Sequence, residues 1–141
     1  MGQQQLLLVI LVTIIVGIAT VVAINTFSSA ADSANMDAVR QDLASIAASA
    51  QGYYMKPTML GGGGKDFTGM TFDDLAFGGT IDASDNTIAY NENGTYKLGS
   101  GSTGSIVITA DPASSPNYTE GTSGSSDDTF TATIEPDNLS Y

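Results

Sequence analysis

Residues 6–24 read LLLVILVTIIVGIATVVAI, nineteen residues in which only Thr13, Gly17 and Thr20 break an aliphatic run. As a helix rising about 1.5 Å per residue the run spans roughly 28 Å, close to the hydrocarbon thickness of a bilayer. In lipid a lone apolar segment has to be helical, because its backbone groups find no other hydrogen-bond partner. Its β-branched residues lower helix propensity in water and matter little where water is absent. The two threonines are able to donate to carbonyls one turn back. A secretory signal peptide fits less well. The run is too long for the usual apolar core, lacks a basic flank and is succeeded by no convincing processing site.

The residues after Ile24 separate a simple anchor from something longer. Residues 25–33 (NTFSSAADS) contain neither Pro nor Gly, so nothing obliges the helix to stop. Ala34, Ala38, Val39, Leu43, Ile46, Ala47, Ala50 and Tyr54 then recur at spacings of three and four, an apolar stripe on one helix face. Gly52 weakens the helix near its end, and Pro57 with the glycines at 61–64 stops it. The pattern predicts one helix from about Gln3 to about Lys56, apolar all round in its first half and amphipathic in its second.

Beyond Pro57 the period changes. Residues 61–64 read as a flexible connector. Residues 65–79 read as a packed loop with one short helical turn near 73–76. Alternation of period two then predicts four strands, at 87–90, 95–98, 105–110 and 129–135. The expected inward residues are Ile88 and Tyr90, Tyr96 and Leu98, Ile106, Ile108 and Ala110, and Phe130, Ala132 and Ile134. Asn93-Gly94 is a turn signal between the first two strands. Residues 111–128 (DPASSPNYTEGTSGSSDD) read as a long polar loop. The expected fold is α+β, a long N-terminal helix packed on a small antiparallel sheet with one apolar face. Its divisions are residues 1–56, the long helix (1–25 an apolar membrane or filament-core segment, 26–56 the amphipathic half), and residues 57–141, an extracellular β-rich globular head. No internal repeat is visible.

Composition removes several functions. The chain has 141 residues, no Cys and no His, and 4 Lys and Arg against 15 Asp and Glu, for a net charge of -11. Disulfides, thiol nucleophiles and Fe–S clusters are excluded, and zinc is disfavoured. The usual general base near neutral pH is missing. No nucleophile–base pair or phosphate loop appears, so no enzyme activity and no cofactor are expected. Nucleic acid is an unfavourable partner for so acidic a chain. Every charged side chain lies at or beyond Asp32. Asp82, Asp85, Asn86, Asp127 and Asp128 lack EF-hand spacing and read as solvated turn acids rather than a calcium site. Asn93, Asn117 and Asn138 head N-glycosylation sequons, the acceptor positions for any sugar on the outer surface. Phe27, Tyr53 and Tyr54 read as packing residues.

An apolar N-terminal helix continued as an amphipathic one and packed on a small sheet resembles the type IV pilins and related filament subunits. Gln5-Leu6-Leu7-Leu8-Val9 is similar to their N-terminal stretch, in which a glutamate precedes a Leu-Leu-Ile-Val-like run. The resemblance covers about the first 25 residues by motif and the rest by architecture. It implies a homopolymeric extracellular filament at the cell surface, serving functions such as adhesion. It also implies insertion in the inner membrane before assembly, a prepilin peptidase that removes a basic leader, and a dedicated assembly machine. Met1 then stands at a methylated mature N-terminus; processing behind Gly2, leaving Gln3 first, and a plain initiator methionine are the alternatives. The implied assembly residues are Met1, Gln3, Gln4, Gln5, Leu6, Leu7 and Gly17. Two positions depart from the family pattern. Gln5 replaces the glutamate that pairs with a neighbour's amine, and the proline common near the end of the apolar run is missing. The other readings are a pseudopilin of a secretion machine and a monomeric membrane-anchored surface protein.

Overall fold

With no proline before residue 57, nothing removes a donor from the helical ladder, and α1 (Gly2–Met55) runs unbroken through Gly17 and Gly52. The computed structural model describes residues 2–124, 126 and 128–141. The chain forms two compact units, Met1–Ala34 and Asn35–Tyr141. All described residues of the first belong to α1, which also supplies residues 35–55 of the second.

The second unit is α+β. Its strands are β1 (Thr80–Ile81), β2 (Ile88–Tyr90), β3 (Gly94–Leu98), β4 (Ile106–Pro112), β5 (Phe130–Glu135) and β6 (Asn138–Ser140). They form one antiparallel meander in chain order. Val39, Leu43, Ile46, Ala47 and Ala50 of α1 are buried in one cluster with Tyr96, Leu98, Ile106, Ile108, Ala110, Ala132 and Ile134 of the sheet. Burying a Leu or Ile side chain is worth about 1.5–3 kcal/mol, so this stripe, not helix propensity, holds residues 35–55 in place. Ala34, expected to open the stripe, is exposed, and Tyr54 is half-buried against Phe67 with ring centroids 4.8 Å apart.

Four expectations are corrected. The sheet has six strands, not four. β1 and β6 are too short to alternate visibly in sequence, and they exist through pairing, Ile81 opposite Ala89 and Leu139 opposite Ile134. In β2 the faces are reversed: Ala89 is fully buried while Ile88 and Tyr90 are half-buried. Ala89 stands opposite Tyr96, whose ring occupies the core, and register with β3 overrides the local apolar pattern. The helical turn expected near 73–76 lies one residue earlier, a 3-10 turn at Phe72–Asp74 in which Asp74 reaches back to the Thr71 N–H at 3.1 Å.

The fourth correction concerns the glycines at 61–64, which form a knotted helix cap instead of a flexible connector. Gly63 N–H donates to Tyr53 C=O (2.8 Å), Lys65 N–H to Tyr54 C=O (2.8 Å) and Gly64 N–H to Lys56 C=O (2.9 Å). These are carbonyls that a helix end leaves without an intrahelical donor. Gly64 and Lys65 take left-handed backbone at φ 59° and 69°.

Polar tethers flank the buried stripe. On one side Asn35 Nδ2 donates to Asn93 C=O (3.0 Å), and Ser114 N–H donates to Asn35 Oδ1 (3.2 Å). One helical repeat on, Asp42 Oδ2 accepts from Asn91 Nδ2 (2.8 Å), Asn93 Nδ2 (2.8 Å) and the Tyr96 hydroxyl (2.7 Å). On the other side Gln51 Nε2 donates to Glu135 C=O (3.1 Å). Burial pushes the Asp42 carboxyl up, but the bonds from Asn91, Asn93 and Tyr96 outweigh it and hold the group below its ordinary 3.8. Burial, reinforced by Asp42, pushes the Tyr96 phenol far above its ordinary range.

Asp42→Ala leaves the buried Tyr96 hydroxyl and two amides without their acceptor, an expected loss of about 1–3 kcal/mol. Thermal unfolding of the detergent-solubilised full chain reads it as a lower Tm. A carboxyl lowered in the folded state stabilises above its unfolded value and loses that contribution as pH falls through the folded one. The Tm gap between wild type and variant is therefore expected to be full at neutral pH and to narrow as pH falls below about 3.8. In the knot, a Cβ on Gly63 would lie 1.9 Å from Asp66 C=O and 2.8 Å from Tyr53 Cε1, whereas one on Gly78 meets nothing within 4 Å. Gly63→Ala is expected to cost about 1–3 kcal/mol in the same assay and Gly78→Ala within about 0.5 kcal/mol.

Candidate functional site

In the first unit the large aliphatic side chains have no cover. From Leu6 to Ile24 they stay 52–67% exposed in the folded chain. Soluble monomers rarely leave more than a few hundred Å² of contiguous apolar surface in water. The segment is long and apolar enough to cross a membrane, and its composition fits a transmembrane helix.

Its few polar groups are prepared for such surroundings. Thr13 Oγ1 donates to Val9 C=O (2.7 Å), Thr20 Oγ1 to Val16 C=O (2.7 Å) and Thr26 Oγ1 to Val22 C=O (2.9 Å). Ser33 Oγ does the same to Ser29 C=O at 3.0 Å. Each hydroxyl spends its proton inside the helix, so an apolar neighbour meets no unsatisfied donor. A Cβ on Gly17 would find nothing within 4 Å, which makes this position a notch in an otherwise bulky aliphatic surface. Gln3, Gln4 and Gln5 are exposed in the first turns, and no acid precedes Asp32. Leu6 and Leu7 are 64% and 67% exposed. Met1, also among the expected assembly residues, lies outside the described residues.

The three sequons occupy different environments. Asn93 is half-buried with its Nδ2, the atom a sugar would occupy, donating to Asp42, and its Thr95 is fully buried. Thr95 Oγ1 lies 3.0 Å from the Tyr118 hydroxyl and accepts from Gly121 N–H (3.1 Å). A sugar on Asn93 is incompatible with these bonds. Asn117 is exposed in left-handed backbone at φ 63°, and Asn138 is exposed on β6.

The acids read as turn formers do form turns. Asp82 Oδ1 accepts from Ser84 N–H (2.7 Å) and Oγ (2.6 Å), and Asp85 Oδ1 from Thr87 N–H (2.9 Å) and Oγ1 (2.5 Å). The Ser84 and Thr87 hydroxyls, aided by their N–H groups, hold both carboxyls below the usual range. Asn86 Nδ2 donates to Asp73 at 2.6 Å. Asp128 accepts from Ser115 Oγ at 3.3 Å, and Asp127 lies outside the described residues. Among the described residues no three acids come together as metal ligands.

Asp111 was not legible as a special residue. It is fully buried, accepting from Ser126 Oγ (3.2 Å), Thr129 Oγ1 (2.8 Å) and Gly124 N–H. It ties the polar loop at 113–129 back onto β4, so that segment is anchored at its base. The signal available in sequence was an acid at the end of an apolar strand with hydroxyl residues beyond it.

Beside these contacts, the aliphatic side chains at 6–24 stay exposed among the described residues. Comparison of the chain with family models, with curated proteins and with solved structures finds no match.

Proposed function

We propose that this chain is the subunit of an extracellular filament of the type IV pilin kind, inserted in a membrane first and then polymerised through its apolar helix. One observation carries the reading. A single unbroken helix buries the stripe Val39, Leu43, Ile46, Ala47 and Ala50 on its own sheet, while its aliphatic side chains at 6–24 stay exposed among the described residues. Lipid and neighbouring copies are the two surroundings that satisfy such a surface. Helix association in apolar surroundings relies on close packing at small residues, and Gly17 is the notch that would allow it. Transfer from lipid to neighbouring helices gains little by itself, because both are apolar, so an assembly machine has to drive extraction. A peptidase that removes a basic leader belongs to the same reading. The role is structural, without catalysis or cofactor, and every charged side chain lies at or beyond Asp32, outside the apolar run.

Electron microscopy of sheared cell-surface material, with mass spectrometry of the filament protein, tests this. Long filaments containing the chain support it. Short periplasmic assemblies would favour a pseudopilin, and a membrane-bound monomer would favour a plain anchor.

Two variants address the core. Gly17→Leu adds a side chain into open space in the lone subunit, so membrane insertion is expected to be unchanged while filament yield falls severalfold; immunoblots of sheared and membrane fractions read both. Gln5 supplies a neutral amide where the resembling family has a carboxylate. Gln5→Ala removes the acceptor and is expected to lower filament yield, whereas Gln5→Glu, which offers a full charge to any amine in the core, is expected to retain it. Wild-type yield from Gln5→Ala would show that the amide takes no part in docking.

A further inference from the structure

The knot that closes α1 displays what the rest of the second unit hides. Outside residues 6–27, the large hydrophobic side chains exposed among the described residues are Met55, Met59, Leu60, Val107 and Tyr141. Three of these five sit on the knot, and Met59 is 96% exposed. The same stretch carries Lys56 and Lys65, both exposed, which are two of the chain's four bases. The other two are engaged: Arg40 lies 3.1 Å from Asp37, and Lys97 lies 4.0 Å from Asp85. Among the described residues neither knot lysine has an ion-pair partner. The nearest acid in sequence, Asp66, uses Oδ1 to accept from Thr68 N–H (2.8 Å) and Oγ1 (2.7 Å).

The display is rigid. Gly63 and Lys65 N–H donate to the Tyr53 and Tyr54 carbonyls at the end of α1, Gly64 N–H donates to Lys56 C=O, and Leu60 N–H donates to Pro57 C=O at 3.0 Å. A Cβ on Gly62 would lie 2.2 Å from Lys56 C=O, so the turn is packed against the helix end. The backbone of the turn therefore has little ordering entropy left to lose on docking, and the cost falls on the rotamers of the Met and Lys side chains.

We propose that this knot is a second subunit contact, docking its methionines and lysines on an acidic face of another copy of the chain. The inference rests on the filament reading. The choice of occupant comes from charge. Two unpaired bases on a chain with 15 acids find their complement on that chain's own surface. Three apolar side chains make a weak contact alone. Between subunits already held by their helices the contact forms at high effective concentration, where a weak contact suffices. It also offsets part of the repulsion among neighbours of charge -11.

Peroxide footprinting of the full chain tests the proposal, because a thioether is oxidised to the sulfoxide at a rate set by its access to the oxidant. Met70, 3% exposed, is the internal control for folding. Met59 is expected to react readily in detergent-dispersed subunits and about tenfold more slowly in sheared filaments, with Met70 protected in both. Zero-length carbodiimide coupling of filaments is expected to join Lys56 or Lys65 to an Asp or Glu of a second copy. The K56E/K65E double variant is expected to insert in membranes with Met70 protected and to lose most of its filaments. Met59 oxidised equally fast in filaments and dispersed subunits would overturn the contact while leaving the filament reading intact. So would protection of Met59 in anionic vesicles carrying dispersed subunits, since a lipid surface would then be the occupant. Failure to find any filament would overturn the filament reading and this contact with it.

Discussion

An α-helix satisfies its own backbone but not its side chains, and α1 has to find cover for two different surfaces along one continuous ladder. Over residues 39–50 the apolar side chains keep to a stripe, and a sheet of matching apolar residues from the same chain covers it. Over residues 6–24 they surround the helix completely, and a single small sheet cannot cover a cylinder. The proposed polymerisation through that cylinder answers this mismatch. The threonines that bond back within the helix make the same point, since their hydroxyls need nothing from outside.

The second unit holds its part of the helix through apolar burial and directs it through polar groups. Apolar packing alone tolerates sliding and rotation about the stripe. Asp42, with three donors from β3 and the turn before it, and Gln51, on the opposite flank, reject most of those alternatives. Both are helix residues answered by loop or strand groups far away in sequence, so their bonds form only in one register. Asp111 plays a comparable part for the long polar loop, whose hydroxyls and N–H groups converge on one buried carboxylate. Where a carboxylate is buried in this unit, it is met by donors, and no buried side-chain polar atom lacks a partner among the described residues.

Charge is distributed as sharply as hydropathy. None precedes Asp32, and beyond it acids outnumber bases by 15 to 4. Most of those acids are spent on turns and tethers or face solvent, a composition that keeps a surface soluble and repels copies of itself. Under the filament reading, assembly is a balance between an apolar core that attracts and an acidic exterior that repels, and the few cations gain importance out of proportion to their number.

The aliphatic run, the lack of proline before residue 57 and the stripe from Val39 to Ala50 determined the helix by themselves, because period and breakers are local properties of the chain. The alternation of Ile106, Ile108 and Ala110, and of Ala132 and Ile134, likewise placed β4 and β5 with the correct face inward. Tertiary structure decided what local pattern leaves degenerate. β2 has apolar residues on both faces, and only pairing with Tyr96 turned Ala89 inward. β1 and β6 carry too few residues to signal themselves and depend on a neighbour's free edge. The glycines after Pro57 look flexible in isolation, yet the unsatisfied carbonyls at the end of α1 draw their N–H groups into a fixed knot. The Asp42 and Asp111 clusters join residues 49 to 54 and 13 to 18 positions apart. The partners in such contacts are not specified by local pattern, since they meet only once the sheet has brought the donors to the carboxylate.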